Sequence, residues 1–376
     1  MKIIIIGPAH PYRGGIALFS NRLADALSAD GNAVNIVTFK MQYPGFLFPG
    51  KTQFSDNENS SKIKTLRTIN SVNPFNWIKV GMQIRAAKPD LVIFKYWMPF
   101  MAPCFGTIAK YIKKDSSIKI ISLVHNLAPH EKRFGDTVLT KYFVKRIDGF
   151  IAMSQSVIAD INRFNTTKPK VLSPHPLYDN FGKIKTRKEA LNALDLDSQF
   201  NYMLFFGIVR KYKGLDILLK AFADKRLNDG SLKLIVAGEF YDDDSEYLNL
   251  INKHDLTDAV ILTKGFIPDD KVADYFCAAD IVVQPYRTAT QSGVTQIAYH
   301  FNKPMLVTDV GGLKEIVPDG KVGYVVEPNE LAVTEALIDF YQNQKAASFI
   351  KGVEEEKKKY SWNKMVKTVN DLYKDL

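Results

Sequence analysis

The chain is poor in cysteine: Cys104 and Cys277 stand far apart among 376 residues, with no ligand cluster near either. That excludes a disulfide framework and a zinc site, and a reducing, cytoplasmic compartment is expected. A long apolar run is also lacking. The longest, YWMPFMAPCFGTIA from Tyr96 to Ala109, contains two prolines and falls short of the roughly 20 residues of a membrane span. The opening MKIIIIGP is too short for the apolar core of a signal peptide and reads as a buried first strand. A third absence is local. QPYRTATQSGVTQIAYH, residues 284–300, follows a strand-like run and leads into a helix, yet holds one arginine, one histidine and no acid. Any chemistry there has to run without a carboxylate from the loop.

What is present is a folding composition, with 46% hydrophobic and 24% charged residues. The length exceeds what one core usually supports, so two domains are expected, with boundaries at 1–182 and 183–360. The net charge of +10 is uneven: residues 1–180 carry 24 Lys+Arg against 11 Asp+Glu, and the rest 26 against 29. A basic first half suits an anionic partner such as an acidic leaflet or a diphosphate.

Strand-like runs alternate with helical patterns: KIIII, AVNIVTF, LVIF, IKIISLV, GFIAMS and VLSP, then again YMLFFG, LKLIVAG, DAVILT, DIVVQP and KPMLVTDVGG. This predicts α/β architecture with two doubly wound parallel sheets, whose ligands bind beyond the carboxyl ends of the strands. A long partly aromatic loop, KMQYPGFLFPGKTQFSDNENSSK, interrupts the first domain as a lid or an excursion. Past Asn329 the pattern is helical only. In the last segment Trp362, Met365, Val366, Val369, Leu372 and Tyr373 recur at helical spacing and need a surface to cover.

GPAHPYRGG places Gly14 and Gly15 where the first helix begins, so backbone N–H groups and the helix dipole can approach an anion. The three-glycine dinucleotide spacing is missing, and the second strand ends VTFK rather than in a ribose-binding acid, which disfavours hydride transfer. GIVRKYKG opens with Gly207 at a strand end and sets Arg210, Lys211 and Lys213 before a helix, a grouping suited to a diphosphate. SLVHNLAPHE puts His125 at another strand end, with His130 and Glu131 beyond. FYDDDSEY could hold a divalent metal but reads more simply as first-turn acids, so no metal or other cofactor is expected.

These segments, with LIVAGEF and the QSGV stretch followed by KPMLVTDVGGLKEIVPDGKVGYVVEP, resemble the retaining GT-B glycosyltransferases of family 4 over essentially the whole chain. Bacterial members that build surface polysaccharides are the nearest in look. The resemblance implies a nucleotide-diphosphate sugar held mainly by the C-terminal domain, and a glycan or lipid-linked acceptor on the basic N-terminal domain. It also implies retention at the anomeric carbon and a terminal helix, about 361–376, that crosses back onto the first domain. Gly14 and Gly15 match the family's glycine loop, and Arg210 and Lys213 its basic pair, with the arginine shifted toward the lysine. His125 matches the histidine beside the transferred sugar, and Glu239 an acidic position near the nucleoside.

The family commonly carries two glutamates seven residues apart. Here those positions fall near Ala289 or Thr290 and at Ile297, and neither is acidic. The catalytic set expected is therefore His125, Arg210 and Lys213. Gln291, Ser292, Gly293 and Val294 at a helix start would grip the distal phosphate through backbone donors. Glu239 and Glu315 become the candidates for the ribose. The first half, with Lys110, Lys113, Lys114, Lys141, Lys145 and Arg146 near FKYWMPF, fits peripheral contact with an anionic inner leaflet; no nucleic-acid partner is expected. Two other readings share this architecture: a sugar-nucleotide epimerase, and a non-catalytic sugar-nucleotide-binding protein that has lost the glutamates.

Overall fold

A computed structural model describes residues 1–45, 52–54, 61–127, 135–164, 167–289 and 292–376. The chain forms two compact units, Met1–Pro174 with Trp362–Leu376, and His175–Ser361.

In the first unit, β1 (Lys2–Ile6), α1 (Gly15–Ala29), β2 (Ala33–Met41), β3 (Lys64–Asn70), α2 (Pro74–Ala86), β4 (Leu91–Tyr96), α3 (Ala102–Ile112), β5 (Lys119–Val124), α4 (Asp136–Val144), β6 (Gly149–Ala152), α5 (Gln155–Asn162) and β7 (Lys170–Leu172) follow in turn. The seven strands form one parallel sheet in the order β3-β2-β1-β4-β5-β6-β7. Parallel strands covered on both faces need apolar residues throughout, which is why KIIII and LVIFKY are buried along almost their whole length. The strand order reverses between β1 and β4, so a crevice is expected beyond their carboxyl ends. FKYWMPF does not form an exposed aromatic surface, because Phe94, Lys95, Tyr96 and Met101 are fully buried and Trp97, Met98 and Phe100 pack on the core.

The second unit contains α6 (Arg187–Ala193), β8 (Asn201–Phe206), α7 (Leu215–Phe222), β9 (Leu232–Gly238), α8 (Ser245–Lys253), β10 (Val260–Lys264), α9 (Val272–Ala278), β11 (Ile281–Gln284), α10 (Gly293–His300), β12 (Met305–Thr308), α11 (Leu313–Ile316), β13 (Gly323–Val326), α12 (Glu330–Gln342) and α13 (Ala346–Glu356). Its six parallel strands run β10-β9-β8-β11-β12-β13, with the reversal between β8 and β11. Residues 175–182, placed with the first domain by sequence, group here. The Leu177 N–H donates to the Tyr360 carbonyl at 2.9 Å, His300 Nε2 lies 2.8 Å from the Gly182 carbonyl, and the Tyr178 ring abuts Gly293.

The last helix, α14 (Trp362–Lys374), belongs to the first unit. It buries Trp362, Met365, Val366, Val369 and Leu372. Trp362 meets Phe19 of α1 edge to face at 5.0 Å, Leu372 lies against Gly149, and Asn370 Nδ2 donates to Asp30 Oδ2 at 2.9 Å.

Candidate functional site

In the second unit the loops leaving β8 and β11 flank the strand reversal, and they hold most of the candidate residues. After Gly207 the chain passes Arg210 and makes a single turn of 3-10 helix, Lys211–Lys213. It then enters α7 through Gly214 at φ 67°. A Cβ on Gly214 would sit 2.0 Å from the Pro285 carbonyl oxygen, so only glycine lets these two loops touch. The two cations differ in exposure. Lys213 is buried, its Nζ 5.3 Å from the centre of the Tyr286 ring and directed toward Gly207. Burial pulls its pKa below the usual lysine value. Among the described residues no carboxylate pairs with it. Arg210 is half exposed, with Nε 4.0 Å from Asp242.

The β11 loop reaches α10 through Ser292, which caps the helix. Its Oγ donates to Gln284 Oε1 at 2.7 Å and accepts from the Val294 N–H at 3.2 Å. Val294, expected among the donor-binding residues, thus has its N–H engaged within the loop. Tyr286 OH lies 3.4 Å from Ser292 Oγ, and burial pushes the phenol up to about 12 in spite of that contact. A Val294 methyl lies 3.7 Å from the position a Gly207 Cβ would take, bringing the two loops together over the end of β8. Gln291 and Thr290 lie outside the described residues, as do His130 and Glu131.

The acid missing from the β11 loop comes from α7. Arg287 donates from both terminal nitrogens to Asp216, Nη1 to Oδ1 at 2.7 Å and Nη2 to Oδ2 at 2.6 Å. It also donates from Nη1 to the Lys211 carbonyl at 3.1 Å and from its backbone N–H to the Tyr212 carbonyl at 2.7 Å. Burial pushes the Asp216 carboxyl up, but the hydrogen bonds and charge of Arg287 outweigh it and hold the group below the ordinary carboxylate range. Sequence reasoning missed this clamp. Asp216 reads there as an ordinary first-turn acid, and a sequence separation of 71 from Arg287 gives no hint that they meet.

Glu239 follows β9, its carbonyl accepting from the Val209 N–H at 2.8 Å, and Glu315 is exposed on α11 after β12. Both stand at carboxyl ends of strands, whereas Ile297 is buried in α10 and offers nothing polar. The aspartate run is engaged locally. Asp243 accepts from the Ser245 N–H at 3.2 Å, Asp244 pairs with Lys264 at 2.7 Å, and Asp242 accepts from the Lys211 N–H at 3.3 Å. Among the described residues no group of three His, Cys, Asp or Glu side chains is arranged to hold a metal ion.

In the first unit Gly14, at φ 100°, precedes α1, which opens with Gly15 and has no acid in its first turn. Part of the long loop folds against this turn: the Arg13 N–H donates to the Gln53 carbonyl at 3.0 Å, and Tyr12 bridges Phe54. His125 is buried beyond β5, its N–H donating to the Tyr96 carbonyl at 2.8 Å and its ring perpendicular to Phe19 at 5.2 Å.

Two parallel α/β units, each with residues gathered where its strand order reverses, define the GT-B class of glycosyltransferase. Residues 13–174 match the family model for Glycosyltransferase Family 4, and residues 201–343 that for Glycosyl transferases group 1. The chain belongs to this glycosyltransferase family. It is 26% identical, over all of its own length and 99% of the relative's, to an uncharacterized glycosyltransferase of Methanocaldococcus jannaschii. It is 24% identical to D-inositol 3-phosphate glycosyltransferase of Thermobifida fusca, over 84% of this chain and 78% of that one. Among solved structures, sucrose-phosphate synthase of Thermosynechococcus elongatus superposes with TM-score 0.78 at 19% identity, covering 100% of this chain and 99% of that one. Anabaena HepE in complex with UDP gives 0.75 at 15%, with both chains fully covered.

Proposed function

We propose that the protein moves a sugar from a nucleotide-diphosphate sugar to a glycan or lipid-linked acceptor, with retention of anomeric configuration, in cell-surface polysaccharide synthesis. The observation that carries this reading is Lys213, buried without a carboxylate partner among the described residues beside Gly207 and the start of α10. A desolvated cation of this kind is costly unless an anion arrives to meet it. The UDP bound by the structural relative HepE is the kind of diphosphate that fits.

In the reaction the bond between the anomeric carbon and the phosphate oxygen breaks, and the acceptor hydroxyl bonds to that carbon from the same face. The hydroxyl proton passes to the departing phosphate oxygen, so no carboxylate nucleophile is needed. Lys213 and Arg210 would hold the charge growing on the diphosphate, joined by backbone donors of α10 that Ser292 has not already satisfied. His125 would border the transferred sugar, and Glu239 or Glu315 would hold the ribose. No metal ion enters this scheme.

Contact with an anionic leaflet is part of the proposal, but through a different surface from FKYWMPF. Helix α2 packs on α3 and α3 on α4. These helices expose Phe75 (84%), Met82 (48%) and Val138 (72%), among the outward Lys79, Lys110, Lys114, Lys141 and Lys145. Lys113 is instead paired with Asp148 at 3.0 Å, and Arg146 stacks on Tyr142. No helix among the described residues is long and apolar enough to cross a membrane.

A thermal-shift screen of common nucleoside diphosphates and their sugars tests the reading, followed by transfer assays with NMR assignment of the product anomer. Stabilisation by one donor type and a retained anomer are expected. An inverted product would refute the stereochemistry, and absence of stabilisation by any donor would refute the function.

A further inference from the structure

Lys95 is a lysine in the middle of an apolar sheet. It is the fifth residue of β4, has no exposed surface, and pairs in register with Leu123 of β5. Its Nζ is buried without a hydrogen-bond partner among the described residues and lies on the face of Phe19, 3.2 Å from the ring centre. Burial lowers its pKa well below the usual lysine value. Next to it, one residue past the end of β1, stands Gly7, where a Cβ would lie 2.7 Å from the lysine's own Cβ, so a bare backbone makes room for the lysine stem.

Packing does not account for this residue. A methionine would fill the same volume without an ammonium to desolvate, and a lone amine in a dry core is a cost that proteins carry mainly where a ligand supplies the missing acceptor. Its position also points to a ligand. β1 and β4 are the strands at which the sheet order reverses, where a ligand crevice is expected, and Lys95 is the last residue but one of β4. Phe19 itself stands one turn into α1, four residues after Gly15, and helical side chains lean toward the helix N-terminus. The same ring also meets His125 at 5.2 Å and Trp362 at 5.0 Å.

We propose that Lys95 is a substrate-binding residue that donates to a phosphate group held at the start of α1. The inference rests on the glycosyl-transfer reading and adds a cation that the reading does not use. The four-carbon stem lets Nζ leave the Phe19 face for a phosphate oxygen while the ring keeps its place. The phosphate could belong to the donor diphosphate or to a phosphorylated acceptor, and two probes separate them.

Binding of UDP and of glycerol 3-phosphate is measured by calorimetry on the full chain, as wild type, Lys95→Met, Lys95→Arg and Lys213→Met. Each protein is also melted without ligand. Lys95→Met is expected to melt at or above the wild-type temperature while its affinity for one probe falls ~10- to 100-fold, the worth of a charge-assisted hydrogen bond. Lys95→Arg is expected to recover part of that loss. Loss of UDP binding assigns the donor phosphate, and loss of glycerol 3-phosphate binding assigns the acceptor. Wild-type affinity of Lys95→Met for both probes overturns the proposal, as does affinity lost together with a lowered melting temperature, which marks a packing role. If Lys213→Met loses UDP while Lys95→Met keeps both probes, only the Lys95 assignment fails. A wild-type protein that binds neither these probes nor any other common nucleoside diphosphate sinks the glycosyl-transfer reading and this inference with it.

Discussion

The clamp between Arg287 and Asp216 joins the turn that carries Lys213 to the loop that leads into α10, so cutting it should disturb both stability and donor binding. The Asp216 side chain is 9% exposed and Arg287 is 41% exposed, so the two ends are not equivalent. In Arg287→Ala the carboxylate is left stranded in a nearly dry position, at a cost of about 2 kcal/mol. In Asp216→Asn the guanidinium still reaches water, which screens it, and about 1 kcal/mol is expected. For a unit of this size 1 kcal/mol moves the melting midpoint by about 2–4 °C, so Arg287→Ala should melt about 4–8 °C lower.

The pH dependence has a fixed sign. Arg287 holds the Asp216 carboxyl below its ordinary value, so the pair's stabilisation is fully present above that value and is lost as pH falls through the depressed one. Without Arg287 the burial penalty is opposed only by the Asp216 backbone N–H and the charge of Lys220, so the carboxyl moves up and acid neutralises the stranded charge more readily. The gap between wild type and Arg287→Ala should therefore be widest near neutral pH and narrow toward about pH 4, around the ordinary aspartate value. Thermal melts across that range measure the gap, and steady-state kinetics at pH 7 measure the loop's role as a raised KM for the donor. Lys cannot make the bidentate contact, so Arg287→Lys should recover little of either loss. A pH-independent gap, or Arg287→Ala with unchanged melting and unchanged KM, would refute the clamp.

Arg210→Ala should lower turnover by about 10²–10³, as for loss of one preorganised electrostatic donor; near wild-type kinetics would remove Arg210 from the site. Activity should survive a strong chelator, and loss with EDTA reversed by magnesium or manganese would show a metal in the reaction. Trp362→Ala should destabilise the first unit by about 3–5 kcal/mol in denaturant melts, because the indole is 95% buried against Phe19 of α1; an unchanged midpoint would show that α14 is dispensable to that unit. Sedimentation with vesicles should favour anionic over neutral lipid, and Phe75→Ser should weaken the binding; equal partition into both vesicle types would remove the membrane surface from the proposal.

Much of the fold is legible in the sequence because parallel strands buried on both faces are near-continuous apolar runs bounded by turns. KIIII, LVIF, LKLIVAG and DIVVQP announce themselves in that way. Two strands do not. β3, KTLRTIN, is a largely uncovered edge strand without a continuous apolar run, and the apolar part of β13, GYVV, is only three residues long and partly buried. The glycine turns and the strand-end cations were visible for a related reason: loops at the carboxyl ends of strands carry their chemistry in local spacing.

Sequence by itself therefore determined the two-sheet architecture, the helical tail and the short list of groups able to meet a diphosphate. Tertiary structure decided what each group meets. It buried Lys213 and left Arg210 half exposed, spent the Val294 amide on Ser292, brought Asp216 to an arginine in a loop without acids, and sealed Lys95 against Phe19. Periodicity and spacing are properties of neighbours along the chain, whereas desolvation and pairing depend on segments that only folding brings into contact. For that reason the loop QPYRTATQSGV could be recognised as lacking a carboxylate, but not as borrowing one.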